Sequence, residues 1–329
     1  MTLGNDRMFS NQSSAHRALA RDIRRMAPEN SEPLRGSVSS VEVFQLIVSG
    51  VSQGCVYGLI ALGFVLIYKA TEMVNFAQAD VMMLGAFMTL TFSHLWGWPF
   101  GWAVLAAIVA MAVLGVLIER IFLRPMIGEP HFAVLMLTIG LGFVLRAVAG
   151  AVWGSGTTPL PTPWGGQVLD LGGVIIGYEN VAIIVGTSLL CLLLFLFFRF
   201  TRLGIAMQAA SQNQLAAYYV GIPVKRIYSL VWAIAAVIAT IAGILTAPIT
   251  LIDPLMGFIG IKAFAAAIVG GFGSLPGALL GGLLVGLMEQ FAGRYLLPGF
   301  GDMSAYVLLL VVLILRPEGL FATMQRKKV

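Results

Sequence analysis

An all-α, polytopic integral membrane protein is the fold class this sequence predicts, and three observations predict it. Of its 329 residues, 59% are hydrophobic and only 11% are charged, where a soluble domain carries about 25% charged residues. Its mean hydropathy is +0.92, more apolar surface than a water-soluble fold of this length can hide. The apolar residues also fall into repeated runs, several near the ~20 residues that cross a ~30 Å hydrocarbon core. The pattern predicts about eight to ten transmembrane or re-entrant helices.

Residues 1–40 stand apart. Arg7, Arg17, Arg21, Arg24, Arg25 and Arg35 are scattered there among Ser, Asn and Pro. No apolar core of a signal peptide follows them within reach. The stretch reads as a polar, disordered or loosely helical tail, or as an extended translation start with Met8 and Met26 as other candidates. The membrane domain is expected over 41–321, followed by a basic tail, 322–329, carrying Arg326, Lys327 and Lys328.

Within the domain the apolar runs are 43–67, 73–95, 99–118, 131–152, 180–198, 227–252, 258–272, 276–293 and 303–315. The run 73–95 opens on a polar stretch containing Asn75, Gln78 and Asp80, so it is the one suspected of not crossing. The pair 258–272 and 276–293 is short and Gly-rich. Joined at Gly273-Ser274-Leu275-Pro276, it fits a tight helical hairpin or a broken helix buried among others. Lys and Arg in short loops set orientation. Arg120 and Arg124, the cluster Arg199, Arg202, Lys225 and Arg226, and the C-terminal basic residues are placed in the cytoplasm. The connection 153–179 has no Lys or Arg and reads as an external loop. Counting back from 199–226 puts the start of the membrane domain outside, against the Arg-rich tail, unless one early run fails to cross.

Function classes narrow accordingly. The net charge of +5 comes from tails and loops, not from the basic face that nucleic-acid binding needs. Cys55 and Cys191 lie singly in apolar runs, and His16, His94 and His131 form no cluster, so no metal or cofactor is expected. Gly271-Phe272-Gly273-Ser274-Leu275-Pro276-Gly277 lacks the Gly-Lys-Ser/Thr ending of a phosphate-binding loop and sits in no βαβ unit. If ATP drives this chain, another subunit must bind it.

Two glycine sets are spaced by four, Gly50/Gly54/Gly58 and Gly273/Gly277/Gly281, with Gly282 and Gly286 extending the second. On helices they form faces where a neighbouring backbone can approach closely. Asp80, Arg146, Lys262 and Glu289 lie within or at the edge of apolar runs. Charged groups at that depth face a cavity or a partner, so they are either structural ion pairs or part of a substrate path. The candidate path residues are Asn75, Gln78, Asp80 and Lys262. The Ala-rich stretch 205–220 predicts a short helix capped by Gly221 and stopped by Pro223. Its flanking membrane helices would tilt with it, so it is either a docking knob or a plain surface connection.

Three blocks carry a family resemblance. The first is Gly54-Cys-Val-Tyr-Gly-Leu-Ile-Ala-Leu-Gly-Phe-Val-Leu-Ile-Tyr68 with Met73-Val-Asn-Phe-Ala-Gln-Ala-Asp80. The second is the Ala-rich helix ending Val220-Gly221-Ile222. The third runs from Ile259 through Gly271-Phe-Gly-Ser-Leu-Pro-Gly277 to Gly282, with Arg316-Pro-Glu-Gly-Leu320 beyond it. Together with Glu119-Arg120 and Arg124-Pro125, they resemble the permeases of branched-chain amino-acid ABC importers, of the LivH subunit type, over about 41–321. The resemblance implies an ABC importer permease fold in the bacterial inner membrane and no ATPase site in this chain. It implies a second, similar permease, two ATPase subunits below, a periplasmic binding protein above and an amino acid as substrate. It makes 199–227 the coupling segment, with Gly204, Ala209, Ala210, Ala216 and Gly221 as candidate coupling positions. Gln78-Ala79 departs from the His-Gly that many relatives carry, which bears on substrate more than on fold. A urea or short-amide importer of the same family, or an ion-coupled secondary transporter, is the alternative.

Overall fold

A computed structural model of the chain describes residues 40–171 and 174–321. The expected polar tail 1–40, Ser40 apart, and the basic tail 322–329 lie outside the described residues.

The first helix, α1 (Ser40–Thr71), is buried without a break from Gly54 to Ile67 and half-buried or exposed over its first turns; its second half fits the centre of a membrane bundle, where a helix is apolar all round. It stops at Glu72, whose φ is +58°. Residues 73–77 are not helical, and α2 (Gln78–Leu90) starts afresh, ending in a π turn at Thr91–Leu95. Then come α3 (Phe100–Ile118), α4 (His131–Trp153) and α5 (Tyr178–Phe200). Two short helices, α6 (Arg202–Gln212) and α7 (Gln214–Tyr219), precede α8 (Val224–Thr250). The chain closes with α9 (Ile259–Gly270), α10 (Leu275–Tyr295) and α11 (Phe300–Leu315). Among the described residues, six helices are long and apolar enough to cross a membrane: α1, α3 with its extension to Met126, α4, α5, α8 and α10.

Side-chain and backbone contacts sort the helix ends into two groups. At one end Gln214 donates to the carbonyl of Ala70 (3.2 Å), Arg124 to that of Lys225 (3.3 Å), and Leu320 N–H to that of Val269 (2.9 Å). At the other, Trp153 donates to Thr91 (2.8 Å), Thr158 bridges Ile252, and Arg294 pairs with Glu42. The nine segments α1–α5 and α8–α11 alternate between these ends. The run 73–95 therefore reaches the second end, although its helix begins only at Gln78. Lys69, Arg120, Arg124, Arg199, Arg202, Lys225, Arg226 and Arg316 all belong to the first end, which the positive-inside rule makes cytoplasmic. The first described helix starts at the opposite, external end, as counting back from 199–226 required. Exposed Trp96, Trp98 and Trp102 sit there, where amphipathic rings favour the membrane–water interface.

The external connection 153–179 is not all loop: Val168–Leu171 (β1) and Val174–Gly177 (β2) pair antiparallel. At the cytoplasmic end, the single helix expected over 205–220 is two. Asn213 breaks it and caps α7, its Oδ1 accepting from Ala216 N–H at 2.9 Å, a role Asn fills well.

Helix α10 carries two glycine faces. Gly282 and Gly286 lie against α1, where an added Cβ would fall on the backbones of Gly58 and Gly54. Reciprocally, a Cβ on Gly54 would stand 2.7 Å from the Leu283 Cα, on Gly50 3.0 Å from the Leu287 Cα, and on Gly58 3.3 Å from the Leu279 Cα. Gly277 and Gly281 face α9, against the backbones of Gly270 and Ala266. Gly273 does not share that face. It lies in the turn before Ser274, the residue that caps α10, and an added Cβ would meet nothing within 4 Å.

Candidate functional site

The break between α1 and α2 builds the site. Asn75 Oδ1 accepts from Ala77 N–H (3.1 Å), forming a local turn, and its amide donates to Gln78 Oε1 (3.3 Å). Gln78 in turn donates to the carbonyl of Ala235 on α8 (3.0 Å). Both side chains are buried and engaged in holding non-helical backbone at depth, which is allowed only where protein satisfies it. Their chemistry is spent on the turn.

Two residues beyond Gln78, Asp80 enters the bundle interior. Arg146 of α4 meets it with Nε at 2.5 Å from Oδ1 and Nη2 at 3.4 Å from Oδ2. The Asp80 side chain is 2% exposed and that of Arg146 19%. Space for the carboxylate exists because Gly142 and Gly257 flank it; a Cβ at either would collide with its oxygens. The Arg146 guanidinium lies 4.2 Å from the ring centre of Phe258 and 5.5 Å from that of Phe143, a stacking that favours a cation over an aromatic face. The pair borders a cavity of about 160 Å³ walled chiefly by Phe64, Phe76, Phe143, Phe258 and Phe264. Phe258 and Phe143 are exposed on its outer side. A cavity of that size admits a small solute with an apolar part, and its polar groups are one ion pair.

Lys262 is elsewhere. Its Nζ donates to Glu289 of α10 and Asp302 of α11, both at 2.6 Å, while Tyr57 donates to the second oxygen of Glu289 (2.6 Å). This cluster joins four helices and does not line the cavity, so of the four path candidates only Asp80 borders it. Arg146 and the phenylalanines complete the site. Arg146 could be singled out as a charge in an apolar run, but its partner is 66 residues away in sequence.

A second assembly lies at the cytoplasmic end. Gly204 and Ala210 are buried against the bundle, Ala209 is half-buried, and Ala216 and Gly221 are exposed. Gly204 and Ala210 therefore seat α6 on its own chain. A Cβ on Gly204 would strike the end of α5 at Phe197. The outward surface is made instead by Leu215, Tyr218, Tyr219 and Val220, between 67% and 81% exposed. Gly221 has φ +85° and turns the chain back toward α8. Gln208 donates to the Phe198 carbonyl (3.3 Å), and Gln214 reaches Ala70 at the end of α1.

Glycine-seamed helices, a broken helix at mid-depth and cations gathered at one end define a multi-pass helical membrane protein. Residues 46–315 match the family model described as branched-chain amino acid transport system / permease component. The chain is 33% identical over 300 residues to the high-affinity branched-chain amino acid transport system permease protein LivH of Escherichia coli K12, covering 87% of this chain and 97% of that one. It is 34% identical over 299 residues to BraD of Pseudomonas aeruginosa, with the same coverage. A probable LivH of Methanocaldococcus jannaschii is 29% identical over 276 residues, 80% of this chain and 87% of that one. This chain belongs to the branched-chain amino acid transport system permease family, a family of ABC importer transport subunits.

Proposed function

We propose that this chain forms half of the membrane pathway of an ABC importer for branched-chain amino acids. In this reading it pairs with a second, homologous permease, receives substrate from a periplasmic binding protein and is driven by two ATPase subunits. The membrane domain runs over 41–321, and the coupling segment over 199–227. The observation that carries the reading is the outward surface of α7 and the turn after it. Leu215, Tyr218, Tyr219 and Val220 are exposed at the basic, cytoplasmic end, beyond the helices that meet lipid. Apolar side chains on an aqueous surface mark a contact with another protein, and aromatic side chains are the usual anchors of such contacts. The hydrogen bonds from Gln208 and Gln214 to the ends of α5 and α1 supply the mechanical link. The names of the relatives support branched-chain amino acids over urea or short amides, and the aromatic cavity beside Arg146 agrees with a solute that has an apolar part.

The test is copurification and uptake. The Tyr219→Asp, Val220→Asp double variant should insert normally yet lose its ATPase partners and ATP-dependent leucine uptake in proteoliposomes. Undiminished copurification removes the coupling role from this surface. Wild-type uptake that continues without ATPase subunits, driven by an ion gradient, would instead establish a secondary transporter.

A further inference from the structure

The Asp80–Arg146 pair is built asymmetrically, and the asymmetry gives it a use. A guanidinium has five N–H donors in a planar fork. Asp80 takes the Nε donor at 2.5 Å and one Nη2 donor only loosely at 3.4 Å. The remaining donors have no hydrogen-bonding acceptor among the described residues. The carboxylate is closely flanked by Gly142 and Gly257 while the guanidinium keeps 19% of its surface exposed, on the border of a cavity whose remaining lining is apolar, chiefly phenylalanine with Ile139 and Ile261. The guanidinium is thus the accessible half of the pair. Asp80 orients it and balances its charge in the empty state, and Phe258 supports its face.

We propose that Arg146 receives the α-carboxylate of the transported amino acid, with the phenylalanine walls taking the apolar side chain. The proposal rests on the reading of this chain as an amino-acid permease and names the specificity-determining group within it. A carboxylate is the planar acceptor that matches the free edge of a guanidinium. A solute lacking it would leave those donors unpaired in an apolar cavity, which sites of this kind discriminate against strongly. Urea, with no carboxylate and no apolar part, fits neither wall.

The test uses the purified permease–ATPase assembly without its binding protein, so that selection upstream does not intervene. Equilibrium binding of radiolabelled leucine at millimolar concentration is competed with leucine, 4-methylpentanoate (no amino group) and leucinamide (no carboxylate). Competition by the first two, with leucinamide at least 10-fold weaker, is the expected result. The D80N/R146Q double variant, which leaves no unpaired buried charge, should fold and lose leucine binding, and R146K should retain part of it. Equal competition by leucinamide, or wild-type-like binding in the double variant, overturns the assignment without need of any further variant. Wild-type uptake once the binding protein is restored, without measurable leucine binding in its absence, also overturns the site while leaving the permease function standing; absence of wild-type uptake even with the binding protein and ATP supplied would count against the function itself.

Discussion

Asp80 shows what a single residue demands of its surroundings. Its carboxylate is admissible at membrane depth because Arg146 pairs with it and because two glycines make room. Removing one partner of a buried pair strands a charge, at a cost of about 3–5 kcal/mol, whereas removing both is far milder. Asp80→Asn or Arg146→Gln alone should therefore lower the melting temperature in detergent more than the double variant does. Gly257→Val, which forces side-chain atoms into the Asp80 oxygens, should reduce the yield of folded protein, measured by size-exclusion chromatography. Gly273→Ala should stay within about 0.5 kcal/mol of wild type, since its surroundings are open. At this scale the sequence was half legible. A charged residue inside an apolar run announces itself, so Asp80, Arg146, Lys262 and Glu289 all stood out. Which carboxylate meets which cation did not, because the partners come from different helices. Glu119 and Arg124 are the converse. Only five apart, they form a double hydrogen bond at 3.0 and 2.9 Å that also holds Ser229 of α8, giving a physical reason for that loop pattern.

At the scale of elements, apolar length located the helices well, because a bilayer of fixed thickness constrains each run. What it missed were features set by hydrogen bonding. The Asn213 break and the non-helical passage around Asn75 lie in mixed sequence, where hydropathy is silent, and the strands of the hairpin, Val168–Leu171 and Val174–Gly177, are largely apolar but far too short to register as a span. Asn213 is the clearest instance, since its side-chain oxygen accepts the N–H three residues on and so caps the helix that follows. Asn213→Ala should weaken α7 by about 1 kcal/mol, seen as faster amide exchange over 214–219 with the membrane helices unchanged. The glycine seams show the limit of spacing arguments. Spacing by four grouped Gly273 with Gly277 and Gly281, yet the cap at Ser274 puts Gly273 outside the helix. The seam with α1 belongs to Gly282 and Gly286 instead. Gly286→Leu should separate α1 from α10 and abolish accumulation in the membrane, as read by immunoblot of membrane fractions.

For the whole molecule, the alternation of nine segments and the gathering of cations at one end fix its orientation. With Cys55 and Cys191 replaced by alanine, a cysteine introduced at Thr157 should react with an impermeant maleimide from the periplasm. One introduced at Glu129, exposed in the cytoplasmic connection between α3 and α4, should react only after the membrane is opened. The Asp80–Arg146 pair has a further consequence, for the electrical balance of transport. Carrying one elementary charge through the membrane potential involves about 2.3 kcal/mol per 100 mV. A guanidinium and carboxylate held 2.5 Å apart travel together as a neutral unit, so a rearrangement that shifts them performs almost no work against the voltage. A zwitterionic cargo adds none. Leucine uptake by proteoliposomes should consequently run at the same rate whether a potassium diffusion potential is imposed or collapsed.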